Sequence, residues 1–175
     1  MATLREVWTS LLPARALTQR ELVRFVRQRS RLIGALLQPV IFWMLFGAGL
    51  SGSFQMAGAQ SYQTYFLPGI TTMIVMFTAI FSAISVIQDK EAGFLQGVLV
   101  SPASRWSIVL GKLGGGSLLA VMQGTLFLVL AVALAAVGLV PATGLPTAPL
   151  AWLGTFAMLL LIALALCGLG YAFAW

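Results

Sequence analysis

Residues 32–88 read LIGALLQPVIFWMLFGAGLSGSFQMAGAQSYQTYFLPGITTMIVMFTAIFSAISVIQ, without one Asp, Glu, Lys, Arg or His. A soluble domain carries about 25% charged residues. This run instead holds more than twice the ~20 apolar residues that cross a bilayer, with a small polar break near 51–64 where the chain can turn. Residues 113–175 repeat the pattern, with only Cys167 and Tyr171 as titratable groups and a break at Pro141, Gly144, Pro146 and Pro149. Each run has room for two spans. The expected fold is an all-α integral membrane protein with four transmembrane helices at about 32–50, 65–87, 113–140 and 150–175.

The whole chain is 60% hydrophobic and 8% charged. Its charges fall in two places: seven arginines and two glutamates between Arg5 and Arg31, and Asp89, Lys90, Glu91, Arg105 and Lys112 in the middle. Lys and Arg set orientation by staying on the cytoplasmic side, so the N-terminus and the 88–112 loop are expected there. The formal charge of +6 invites a nucleic-acid reading, but the arginines flank a span, which suits anionic lipid headgroups better. A cleaved secretory signal is excluded by the long basic lead and the long apolar run that follows it.

The chain divides into a basic N-terminal segment, 1–31, and a transmembrane domain, 32–175. In the first, Arg20, Arg24, Arg27 and Arg31 recur at helical spacing opposite apolar residues that include Trp8 and Phe25. This pattern fits an amphipathic helix in the membrane interface, with Trp8 in the acyl boundary and the arginines at the headgroups, or a flank that only sets orientation. Pro13 is expected to divide it into two short helices. Lys112 is expected as a further headgroup anchor at the start of the third span.

With one cysteine, Cys167, and no histidine, the chain lacks a disulfide framework and the usual parts of a metal site, and no cofactor is expected. Gln38, Pro39 and Gln123 are the residues in the spans suited to helix packing or to lining a path. Gly114-Gly115-Gly116 suits bending or close packing, and Gly116, Ala120 and Gly124 form a small-residue stripe for tight helix contact. Ion-coupled transporters carry ionisable groups in their spans; here there are none. Energy for any transport must therefore enter through the charged inner loop.

In that loop Asp89 and Glu91 suit the positive end of a short helix. Phe94, Leu95, Val98 and Leu99 give it an apolar face, and Ser101-Pro102 stops it. Such a helix either docks into a partner's groove or is a tight turn with no partner.

The string Glu91-x-Gly93-x-Leu95, then Leu99-Val100-Ser101-Pro102-x-Ser104-Arg105 and Gly111-Lys112, resembles the inner-loop motif of the type-2 family of ABC exporter permeases. Gln38-Pro39 and Tyr65-Phe66-Leu67-Pro68-Gly69 are similar to that family's pattern in the same order. The resemblance implies that residues 89–100 form a coupling helix, with Asp89, Glu91, Gly93, Phe94, Leu95, Leu99, Ser101, Pro102 and Arg105 in ATPase coupling. It makes the N-terminal helix the family's interfacial elbow. It further implies two permease subunits of six spans each, served by separate ATP-binding cassette ATPase subunits in a bacterial cytoplasmic (inner) membrane.

No GxxxxGK[ST] phosphate loop occurs, so ATP hydrolysis is expected in the partner. Because four spans stand where six are expected and Trp175 falls at a membrane boundary, further spans are expected beyond it. A non-transporting scaffold and a passive channel are the alternatives, the latter needing a polar pore that these spans scarcely offer.

Overall fold

The computed structural model describes residues 4–50, 61–93, 97, 105–141, 144–145 and 148–174. Among them it contains five helices and no strand: α1 (Leu4–Arg27), α2 (Arg29–Leu50), α3 (Tyr62–Glu91), α4 (Arg105–Ala136) and α5 (Pro149–Ala174). Three helices are long and apolar enough to cross a membrane, within α3, α4 and α5; the apolar part of α2 is shorter, Leu36–Leu50. The all-helical, multi-pass membrane architecture follows from these lengths and compositions.

Several boundaries differ from the sequence reading for local reasons. Pro13 does not divide α1, which runs through it. The hydrogen bond that proline removes is offset by docking: beyond Pro13, α1 lies across the glycine-rich start of α4. A Cβ added at Gly111 would stand 2.8 Å from the Ala14 carbonyl oxygen, and one at Gly115 would stand 3.1 Å from Glu21 Cβ. The Thr18 hydroxyl donates to the Gly111 carbonyl at 3.0 Å. The glycine run thus serves close approach of α1.

The 88–112 loop is shorter than expected, because α3 continues to Glu91 and α4 starts at Arg105. Gly93 ends α3 with a positive φ of 71°, which glycine adopts without steric cost. Its N–H donates to the Lys90 carbonyl at 3.1 Å. α4 stops at Ala136, short of the expected 140. Gly138, at φ 81°, closes it with a Schellman pair, Leu139 N–H to Leu134 O and Gly138 N–H to Ala135 O, both 3.1 Å. Ser61 caps α3 as its side chain accepts from Thr64 N–H at 3.2 Å.

Lipid tails are as apolar as leucine, so helix association in a bilayer relies on close packing and polar contacts. The core is built accordingly. Trp43 of α2 meets Phe127 of α4 edge to face, with ring centroids 5.6 Å apart, and its indole N–H donates to the Gln63 carbonyl at 3.0 Å. Leu67, Ile70, Ile74 and Val75 of α3 complete this cluster with Leu159 and Ala163 of α5. Cys167, free and buried, packs with Ala79, Val86 and Tyr171 in a second one.

The glycine contacts predict a paired outcome. Gly111→Ala forces α1 away from α4 and lowers the thermal unfolding midpoint, at an overpacking cost of about 1–3 kcal/mol. Gly114→Ala, whose Cβ would find only Thr18 Oγ1 at 3.6 Å, leaves the midpoint unchanged or raises it through better helix propensity. Thermal unfolding of the two variants in one detergent checks this.

Candidate functional site: a buried ion cluster at the root of the inner loop

Along α3 the positions 71, 75, 78, 82, 85 and 89 follow alternating steps of four and three. One helix face therefore carries Thr71, Val75, Thr78, Ser82, Ser85 and Asp89, all buried. This polar stripe faces inward and ends at Asp89, past the apolar run that finishes at Ile87.

Asp89 stands in the last turn of α3, where the helix dipole disfavours a carboxylate. Neighbouring helices supply the compensation. Arg20 of α1 makes two hydrogen bonds to it, at 3.2 and 3.4 Å. Arg24 makes a third at 3.0 Å, and the Lys112 ammonium of α4 contacts it directly. Burial opposes its ionisation, and the hydrogen bonds from Arg20 and Lys112 offset that cost.

Lys112, only 2% exposed, reaches back to α1 as well, with its Nζ 2.5 Å from Glu21 Oε1. The other Glu21 oxygen accepts from the Ser85 hydroxyl at 3.3 Å. Arg24 also donates to Ser85 and to Gln88, both at 3.3 Å. Among the described residues, three cations thus meet two carboxylates at the junction of α1, α3 and α4. Above it, the Tyr171 hydroxyl of α5 donates to the Lys112 carbonyl at 2.9 Å and lies 2.5 Å from Ser82 Oγ.

The sequence-derived candidates divide accordingly. Arg20, Arg24 and Lys112, expected at the headgroups, direct their charges into this cluster. Burial requires it for Lys112, because an ammonium taken out of water is costly unless paired. Arg27 is exposed on α1; the side chains of Trp8, Arg31 and Arg105 lie outside the described ones.

Asp89 and Glu91 end α3 instead of opening a short helix, and Glu91 is exposed. Phe94, Leu95, Leu99, Ser101 and Pro102 lie outside the described residues. Gly97 is helical, with its N–H 3.3 Å from the Gly93 carbonyl.

Gln38 stays apart, exposed on α2 beside Leu37, Ile41 and Phe42, while Pro39 is buried. Gln123 is buried and its amide oxygen meets the Thr78 hydroxyl; its Nε2 has no partner among the described residues. Sequence reading missed Glu21, although an acid standing alone within an arginine stripe signals a fixed partner. It also missed the α3 stripe, whose 4-3-4 spacing was visible.

Removing one member of a buried ion pair strands the others, at about 3–5 kcal/mol. Lys112→Met is therefore expected to destabilise the protein by that order, and adding Glu21→Gln to recover part of the loss. A double-mutant cycle on unfolding free energies measures the coupling, and strict additivity would contradict the geometry.

A family profile described as ABC-2 type transporter matches residues 14–175. A protein of Cyanophora paradoxa named as a transport permease, ycf38, is 33% identical over 96 residues, which is 53% of this chain and 33% of the relative. The chain therefore aligns with about a third of that relative's length. No solved structure matches it. The profile extends from the start of the α1 segment docked on α4 through α5, so it takes in every helix that builds the ion cluster, and the chain belongs to the ABC-2 type transporter family.

Proposed function

We propose that this chain is the membrane-spanning permease part of an ATP-binding cassette exporter in a bacterial cytoplasmic membrane. Its N-terminus and inner loop face the cytoplasm. Helices α2 to α5 are four of its spans, and a second permease subunit completes the path. ATP is hydrolysed by a separate ATPase subunit, as the resemblance to the type-2 exporter permeases implies.

The observation that carries this reading is the ion cluster at the root of the inner loop. Asp89 opens residues 89–100, the segment that resembles the family's coupling helix, and Lys112 ends the inner-loop motif that continues from it; both are joined through Glu21, Arg20 and Arg24 to α1. A push delivered to the loop by an ATPase cannot stay local, because separating these charges would leave them buried and unpaired. The displacement passes into α1, α3 and α4 together.

In this reading Glu91, Leu95 and Arg105 meet the ATPase, Gly93 sets the angle at which the loop leaves α3, and Asp89 anchors it. The full-length protein, co-reconstituted with its ATPase subunit, tests it. Leu95→Glu or Glu91→Lys is expected to lower stimulated ATP hydrolysis by about tenfold, within the 5–150-fold range of typical inter-site couplings, while membrane insertion is unaffected. Unchanged stimulation in both variants would remove the coupling role.

A further inference from the structure

Lys112 is held at both of its ends. Its ammonium lies in the ion cluster with Glu21 and Asp89, while its backbone carbonyl accepts from the Tyr171 hydroxyl of α5 at 2.9 Å. Within α4 the same carbonyl is the helical partner of the N–H four residues on, that of Gly116. A carbonyl oxygen has two lone pairs, so the second is open to Tyr171.

A hydroxyl has one proton to donate. With that of Tyr171 directed at Lys112, the Ser82 hydroxyl of α3, 2.5 Å away, donates to the Tyr171 oxygen. Two hydrogen bonds therefore run in one direction, from Ser82 to Tyr171 to the Lys112 carbonyl, and bonds aligned in series strengthen one another. Three helices meet at this phenol oxygen, and Ser82, Tyr171 and Lys112 are all buried.

The backbone of α4 is shaped to admit it. A Cβ added at Gly116 would stand 2.5 Å from the Tyr171 oxygen and would strike the Ser82 hydroxyl as well. At Gly124, in the same small-residue stripe, an added Cβ would meet nothing nearer than 3.5 Å. Glycine is thus required at 116, as the seat of the tyrosine, and only accommodated at 124. The other side chains that α5 buries, among them Leu159, Ala163 and Cys167, are apolar, and such contacts gain little over lipid tails. The hydroxyl bonds therefore fix the register of α5 on its neighbours.

We propose that Tyr171 is a positioning residue for coupling: it ties the inner end of α5 to Lys112, so that a displacement of the ion cluster is carried into α5. Without the hydroxyl, the cluster and α5 move independently. The inference rests on the ATPase reading only for the source of the push.

The full-length permease alone, in lipid nanodiscs, tests it. Phe173 of α5 is 91% exposed, so Phe173→Cys in a Cys167→Ala background takes a trifluoromethyl label whose fluorine NMR signal reports the inner end of α5. Asp89→Asn, or the milder Glu21→Gln if that variant does not insert, is expected to shift this signal when Tyr171 is present and to leave it in place in Tyr171→Phe. A shift of equal size with and without the hydroxyl, or no shift in either, overturns the proposal. A purely structural role would give the equal shift. The seat is checked by thermal unfolding: Gly116→Ala should lower the midpoint, and by less in a Ser82→Ala/Tyr171→Phe background, where the two hydroxyls are gone. An equal loss in both backgrounds counts against the seat. Because no ATPase is present, unchanged ATP hydrolysis in Leu95→Glu would remove the coupling role of the loop and leave these outcomes as they are.

Discussion

The Asp89 carboxylate sits in the interior, at the helix end that repels it. A buried charge is tolerated only when paired and hydrogen-bonded, since the unpaired ion is penalised by several kcal/mol. Everything at this end of the molecule follows from meeting that requirement. Lys112 must point inward from the first part of α4, Arg20 and Arg24 must face α3, and Glu21 must balance Lys112. α1 is therefore held as a strut between two helices, with Arg20 and Arg24 spent on protein contacts.

The close contact that this strut needs is provided by glycine. Gly111 and Gly115 remove the side chains that would keep α1 off α4, while Thr18 adds a hydrogen bond to the exposed backbone. In a bilayer, where burial of leucine against leucine yields little, such backbone proximity and the polar stripe of α3 carry much of the helix association. The same stripe connects levels: Ser85 to Glu21, Ser82 to Tyr171, Thr78 to Gln123. Displacement of α3 is thus felt by α1, α4 and α5.

This arrangement gives a physical basis to coupling at a distance. Asp89 and Lys112, on either side of the inner loop, meet in one buried cluster. In the proposed coupling, rigid helices and a charge cluster that must stay paired would pass a push on as a body. The family assignment supplies the biological setting, and the cluster supplies the mechanical one.

Much of this was legible in the chain itself. Two long runs without a charge required membrane helices, because neither can fold in water around a conventional core and each exceeds a bilayer's thickness. The loop motif from Glu91 to Lys112 indicated the family by local residue order. Helix ends at Gly93 and Gly138, which the sequence reading placed elsewhere, follow from the positive φ that glycine permits. The tertiary structure alone decided the fate of the charges. Whether Arg20, Arg24 and Lys112 meet lipid phosphate or carboxylates depends on which helix faces lie together, and spacing along one helix cannot report that. Continuity of α1 through Pro13 was hidden for the same reason, since the docking that offsets the missing hydrogen bond comes from glycines nearly a hundred residues away.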